Sequence, residues 1–369
     1  MEQININNNV ETYLDDDEID LGVLSKLKSI TNRPDLICVG FEDTSGVFTN
    51  YNLQRKLPSN ELFEIQKLQS AFMENTFLPA QIQPYLFSKS FLKENNIKFP
   101  NAYVGEDLAF NTMVMLSSRK IFNIPGFFYK YVSRPGTLKS SQGVDRSIDL
   151  LMCLLELLNF KNGFSGLNKQ SNIFCVEVLN FYKSLFCMRV LLASKKNSGQ
   201  ISQNNLFNSN DAKLFKGVFN NEIPISNLKD IHEKIATEIK NICIKKLMPI
   251  IDDFKKVFVF CVGSLGRSVA KLVCEGCKKE VIFVDAMFEK FPTGKLDGFD
   301  IISPKEMHDL IEKKCVIICN PQHQIENKIA KDINQQEQSL IVSKSNLLFG
   351  SELIKESANS FFGKCEVIF

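Results

Sequence analysis

The sequence predicts an α/β protein, and three observations point there. Strands and helices alternate at the carboxy-terminal end, the middle third reads as helix, and near the amino end short β-branched runs are interleaved with amphipathic helices. A length of 369 residues gives a prior of two or three domains at ~150 residues each. Hydrophobic residues make up 44% and charged residues 23%, the balance of a folded chain. Lys and Arg total 44 against 42 Asp and Glu, a formal charge of +2. That is far from the cationic excess that non-specific phosphate binding needs, so no nucleic-acid partner is expected. Eleven cysteines stand at irregular spacings and no basic, apolar leader precedes the first acidic run, so a reducing cytoplasm is expected. The most apolar stretch, Ile148 to Phe160, carries Asp149 and Glu156 and falls short of the ~20 residues of a membrane crossing. No transmembrane segment is expected.

The first ten or so residues are Asn-rich and without periodicity. After the acidic run, Leu21, Leu24, Leu27 and Ile30 recur at helical spacing, with Asp20 as a candidate N-cap. Leu36 to Val39 reads as a short buried strand. Leu62, Ile65, Leu68 and Phe72 mark an amphipathic helix, and Gly105-Glu106-Asp107 opens another that runs to about Ser118. Ile121 to Val132, broken at Pro125-Gly126, predicts two extended segments. Helices are predicted near 145–160, 172–194 and 226–247. The last carries a stripe of Leu228, Ile231, Ile235, Ile239 and Ile242 and ends at Pro249. From Val257 the pattern becomes strand, helix, strand, helix, strand with short links, a parallel-sheet unit. The predicted domains are 1–140, a helical middle segment 141–252, and 253–369.

Asp15 and Asp17 flank Asp16 after the apolar pair Tyr13-Leu14. Two carboxylates at that spacing can share a hard divalent cation, which in turn can bind a diphosphate. Acids at a helix start also complement its dipole and cap its free amides. The segments that follow stand in a telling order: Asp35-Leu36-Ile37-Cys38-Val39-Gly40-Phe41, then Leu86-Phe87-Ser88-Lys89 through Ile97-Lys98-Phe99, then Gly105-Glu106-Asp107-Leu108, and finally Tyr129-Lys130-Tyr131 with Arg134-Pro135-Gly136-Thr137.

With the acidic run, this set resembles the second half of a bacterial family 2 glycosyltransferase of the GT-A type, over about residues 11–140. The resemblance implies a partial GT-A-like domain in which Asp15 and Asp17 hold Mg²⁺ or Mn²⁺ against the diphosphate of a nucleotide-sugar donor. It implies that Asp107, paired with Glu106, is the general base that deprotonates the hydroxyl of a glycan or lipid-linked acceptor. Tyr129 and Tyr131 share a strand face, where they can stack on a sugar or pack in the core, and Arg134 can meet a phosphate or sit in a polar turn. The family's nucleotide-cradling first half, about 90 residues, has no counterpart before Asp15. Three expectations follow: a truncated product, a partner chain or oligomer covering the open sheet, or a remnant without catalysis.

Val257 to Ser268, with Gly263 and Gly266, resembles the opening strand and phosphate loop of a Rossmann-like domain, Cys261 standing where the first glycine of the usual trio falls. This implies nucleotide binding at the carboxy-terminal domain, with Asp285 positioned to bond a ribose. Cys274 and Cys277 have zinc-knuckle spacing, with Cys315 and Cys319 as further thiols, but in these apolar settings buried small hydrophobes are the better reading. His232, His308 and His323 lie far apart in sequence. The overall expectation is a metal-dependent sugar transferase of bacterial surface glycan synthesis, cytoplasmic or peripheral at the inner membrane. The alternative is a non-catalytic binding or assembly protein whose carboxy-terminal domain holds a nucleotide.

Overall fold

The structure, a computed structural model, describes residues 18–19, 26–27, 30, 33–43, 51–74, 79–82, 84–102, 104–131, 144–164, 167–192, 228–310, 314–319, 323–340 and 346–362. It is mixed α/β. The chain divides into two compact units, Met1–Ser141 with Met152–Leu179, and Gln142–Leu151 with Asn180–Phe369.

In the first unit, β2 (Leu36–Asp43) runs parallel to β5 (Ile121–Tyr131). Three short strands lie antiparallel to this pair. β1 (Glu18–Ile19) and β3 (Leu62–Phe63) pair with β5, and β4 (Tyr85–Phe87) pairs with β2. Leu36, Cys38, Val39 and Phe41 are all buried, so the strand is apolar without alternation, as a strand covered on both faces must be. Val39 and Ile124 form a core with Ile37, Leu86, Phe122 and Tyr129 around them.

One continuous β5 replaces the two extended segments expected at Pro125-Gly126. Its register against β2 slips between Cys38 and Gly40 and again between Gly40 and Phe41. A bulge thereby absorbs the extra residues, and Gly126 takes a φ of 118° there, a conformation open to a residue without Cβ.

Helices α1 (Tyr51–Gln54), α2 (Ile65–Glu74), α3 (Lys89–Glu94) and α4 (Glu106–Ser117) complete the unit's short elements. Ser88 caps α3, its hydroxyl accepting from Phe91 N at 3.4 Å. In α4 every residue from Leu108 to Ser117 is buried, which explains its apolar composition on all sides. Buried amides tie these elements down: Gln54 Nε2 donates to Ile124 O at 3.2 Å and Gln69 Nε2 to Met115 O at 3.3 Å.

The long helices are α5 (Val144–Gly163), α6 (Lys169–Leu192) and α7 (Leu228–Ile251). On α7 the buried stripe is Ile235, Ile239, Cys243, Leu247 and Ile251. The helix passes Pro249 and ends two residues later. A proline in the last turn forfeits only one ladder bond, so it does not stop the helix at its own position.

The second unit holds a sheet in the order β11 (Asn346–Phe349), β10 (Cys315–Ile318), β6 (Lys256–Phe260), β7 (Glu280–Val284), β9 (Phe299–Ile302) and β8 (Lys295–Leu296). All neighbours are parallel except β8 with β9. That pair is a hairpin closed by Asp297 and Gly298, both at positive φ (52° and 87°), the backbone a two-residue turn of this kind requires. Helix α11 (Gly350–Phe362) packs with α7, and α8 (Ser264–Lys271) packs with α11 and β6. The other sheet face is covered by α9 (Pro304–His308) and α10 (His323–Leu340), whose Met307, Ala330 and Ile333 meet Phe258, Val284, Val316 and Ile318. The chain steps outward from β6 to β7 and β9, then crosses back to β10 on the far side of β6. The order of the sheet therefore reverses between β6 and β10, and a crevice at such a reversal opens at the carboxyl ends of the strands.

Candidate functional site

In the first unit, α4 begins at Gly105, whose φ of 89° is left-handed. Glu106 and Asp107 occupy its first turn and are half-buried, where their charge faces amides with no partner inside the helix. Two side chains anchor this turn. Asn111 Nδ2 donates to Pro79 O and Gln81 O, each at 2.8 Å. Phe110 meets Phe87 of β4 edge-on, with ring centroids 5.1 Å apart. Phe87 pairs with Leu36 at the beginning of β2.

Tyr129 lies toward the other end of β2, registered against Phe41, and the two rings stack at 6.2 Å with planes 16° apart. Its ring therefore belongs to the packing around Val39 and Ile124. Tyr131, the last residue of β5, is registered against Asp43. Asp15, Asp17 and Arg134 lie outside the described residues. Glu18 and Ile19, which follow the acidic run directly in sequence, pair with Lys130 and Tyr129. Among the described residues no group of three or more His, Cys, Asp or Glu side chains is placed to hold a metal ion. None of their helices is long and apolar enough to cross a membrane.

In the second unit, the loop after β6 sits beside the sheet's reversal. Cys261 has a φ of 76°, the turn a glycine would make at lower cost. Gly266 packs against that turn: a Cβ there would come 1.9 Å from Cys261 O. Gly263 is the opposite case, exposed, with no heavy atom within 4 Å of the place a Cβ would take. Asp285, just past β7, accepts from Val262 N at 3.2 Å and from Met287 N at 2.8 Å. Its carboxylate therefore holds the loop from the neighbouring strand. Gly263, Gly266 and Asp285 are thus brought to one end of the sheet.

Across the reversal Cys319 donates its backbone N–H to Phe260 O at 2.9 Å. Its thiol is buried and pushed well above the usual range by that burial, with Glu326 and Cys261 adding to the shift. Glu326 is itself buried and accepts from the backbone and hydroxyl of Ser351, closing the start of α11. Cys277 and Cys315 are buried and Cys274 half-buried. The sequence reading did not single out Glu326, which sits in a mostly polar helix, or the ring of Phe99. The signal for each is a contact with a residue distant in sequence. No protein-family model, curated protein or solved structure matches this chain.

Proposed function

We propose that the first unit is the second half of a metal-dependent sugar transferase of the family 2 GT-A type, moving a sugar from a nucleotide-sugar to a hydroxyl acceptor in bacterial surface glycan synthesis. The observation that supports this reading best is the pairing of β1 with β5, because it ties the continuation of the acidic run to Tyr129 and Lys130. Asp15 and Asp17 supply hard oxygen donors suited to Mg²⁺ or Mn²⁺, and such an ion, when bound, offsets charge on a departing nucleoside diphosphate. Asp107 would accept the acceptor's proton while that oxygen attacks the anomeric carbon, with Glu106 beside it. Tyr131 and Arg134 would contact sugar and phosphate. The place of action on this reading is the cytoplasm or the surface of the inner membrane.

Thermal melting tests it. A nucleotide-sugar at about 100 times its Kd should add roughly 2.7 kcal/mol, seen as a rise in Tm with Mn²⁺ present and not in chelator. Asp15→Ala should abolish the rise, while Asp107→Asn should keep it and lose turnover. A wild-type chain whose Tm ignores the donor in Mn²⁺ would overturn the reading.

A second reading has its own support in the loop after β6. An open Gly263, a Gly266 close against the turn at Cys261, and an Asp285 at the end of the next strand would serve a phosphate loop of the Rossmann-like kind. On this reading the second unit binds a nucleotide and the chain is a binding or assembly protein. A nucleoside diphosphate should then raise Tm without metal, and Gly263→Asp should remove the effect by placing a carboxylate where phosphate approaches. Protection that survives Gly263→Asp would count against it.

A further inference from the structure

Phe99, in the link between α3 and α4, is 47% exposed although Ile97 before it and Pro100 after it are buried. Its ring is nevertheless fixed. It lies flat on Phe110, with centroids 3.9 Å apart and planes within 3°, and Phe110 is held in turn by the edge of Phe87. One face of Phe99 is therefore covered, and its exposure belongs to the other face and the rim. Two phenyl rings alone prefer an offset or edge-on arrangement, because a direct sandwich sets two electron-rich faces together. The outer face thus suits a partner that presents weakly positive C–H groups.

Phe110 stands four residues after Glu106 and three after Asp107, one helical turn away on the same side. Side chains on a helix lean toward its amino end, which sets Phe110, the inner ring of the pair, next to the turn that carries both carboxylates. A flat apolar face with carboxylates one helical turn from the ring beneath it suits a pyranose, which has C–H groups on one side and hydroxyl donors around its edge. A lipid chain or a partner helix needs a wider apolar patch. Elsewhere in the first unit, Ile173 and Val176 on α6 are the other large hydrophobic side chains that stand exposed among those whose burial is described.

Resting on the transferase reading, we propose that Phe99 is the platform on which an acceptor sugar ring stacks beside Glu106 and Asp107, so that the attacked hydroxyl belongs to a glycan.

Saturation-transfer NMR on the full chain, with methyl β-D-galactopyranoside as the probe, tests this without donor or metal. Saturation should concentrate on the C–H protons of one ring face. Phe99→Tyr should keep it, and Phe99→Leu, which retains apolar bulk without the π-face, should weaken it by about three- to tenfold, the range one aromatic stack supplies. Equal signals in wild type and Phe99→Leu, or no signal in wild type, would overturn the proposal. So would a change in sedimentation on Phe99→Leu without a change in glycoside binding, because the ring would then be covered by a second copy of the chain. Glycoside binding through Phe99 in a chain that ignores nucleotide-sugar in Mn²⁺ keeps the platform and loses the transferase. The reverse pattern keeps the transferase and loses the platform.

Discussion

Gly263 and Gly266 share a loop and ask opposite things of it. At Gly266 a methyl group would meet the carbonyl of Cys261, and backbone cannot swing aside as a side chain can. Gly266→Ala should therefore cost roughly 1–3 kcal/mol, read as a lower urea midpoint. Gly263→Ala faces open space and should stay within about 0.5 kcal/mol. The reverse ranking would show that strand–helix contact is not what the loop needs. The sequence singled out both glycines through their resemblance to a phosphate loop. Their division of labour was not legible there, since it depends on Cys261 turning its carbonyl toward the helix.

Among the elements, α9 is the clearest case of local instruction. Ser303-Pro304-Lys305-Glu306 forms a reciprocal cap: Ser303 Oγ accepts from Glu306 N at 3.1 Å, and Glu306 Oε2 accepts from Ser303 N at 2.7 Å. The backbone bond first, then the Ser303 hydroxyl, hold the Glu306 carboxyl below the usual glutamate range. A carboxyl lowered on folding stabilises above its unfolded value, ~4.3, and that contribution disappears as pH falls through the lower folded value. Ser303→Ala should cost about 1 kcal/mol at neutral pH. The destabilisation from Glu306→Ala, followed by chemical unfolding from pH 7 downward, should shrink below about pH 4. A deficit constant with pH would show that the cap is not charged. Other elements escaped the sequence reading. β8 and β9 are too short for periodicity to register, although Asp297-Gly298 is a strong turn pair. Pro125-Gly126 looked like a break and proved to be a bulge, because β2 continues alongside and keeps pairing on both sides of it.

For the whole molecule the cysteines give the simplest readout. None of the ten within the described residues is joined in a disulfide. Cys261 and Cys274 are half-buried and the other eight buried. Burial pushes the thiols of Cys175, Cys243 and Cys315 up to about 11, and that of Cys38 further still. A thiol reagent at pH 8 on the native chain should therefore modify peptides with Cys261 and Cys274 within minutes, while the buried eight react only after denaturation. Mass spectrometry of the digest checks this, and fast modification of Cys38 or Cys315 would contradict the sheets that bury them. The irregular cysteine spacing offered no disulfide framework to read, and which of the thiols reach solvent depends on packing.

The sequence by itself determined where strands and helices alternate, where most helices start, and that acids stand at the first turn of α4, because hydrophobic period and capping chemistry act over a few residues. Only the tertiary structure decided that the chain crosses from β9 back to β10, that β1 returns to Tyr129, and that Phe99 lies on Phe110. Those choices join residues far apart along the chain. Their energy exists only once the partners meet and exclude water, so no local pattern encodes them.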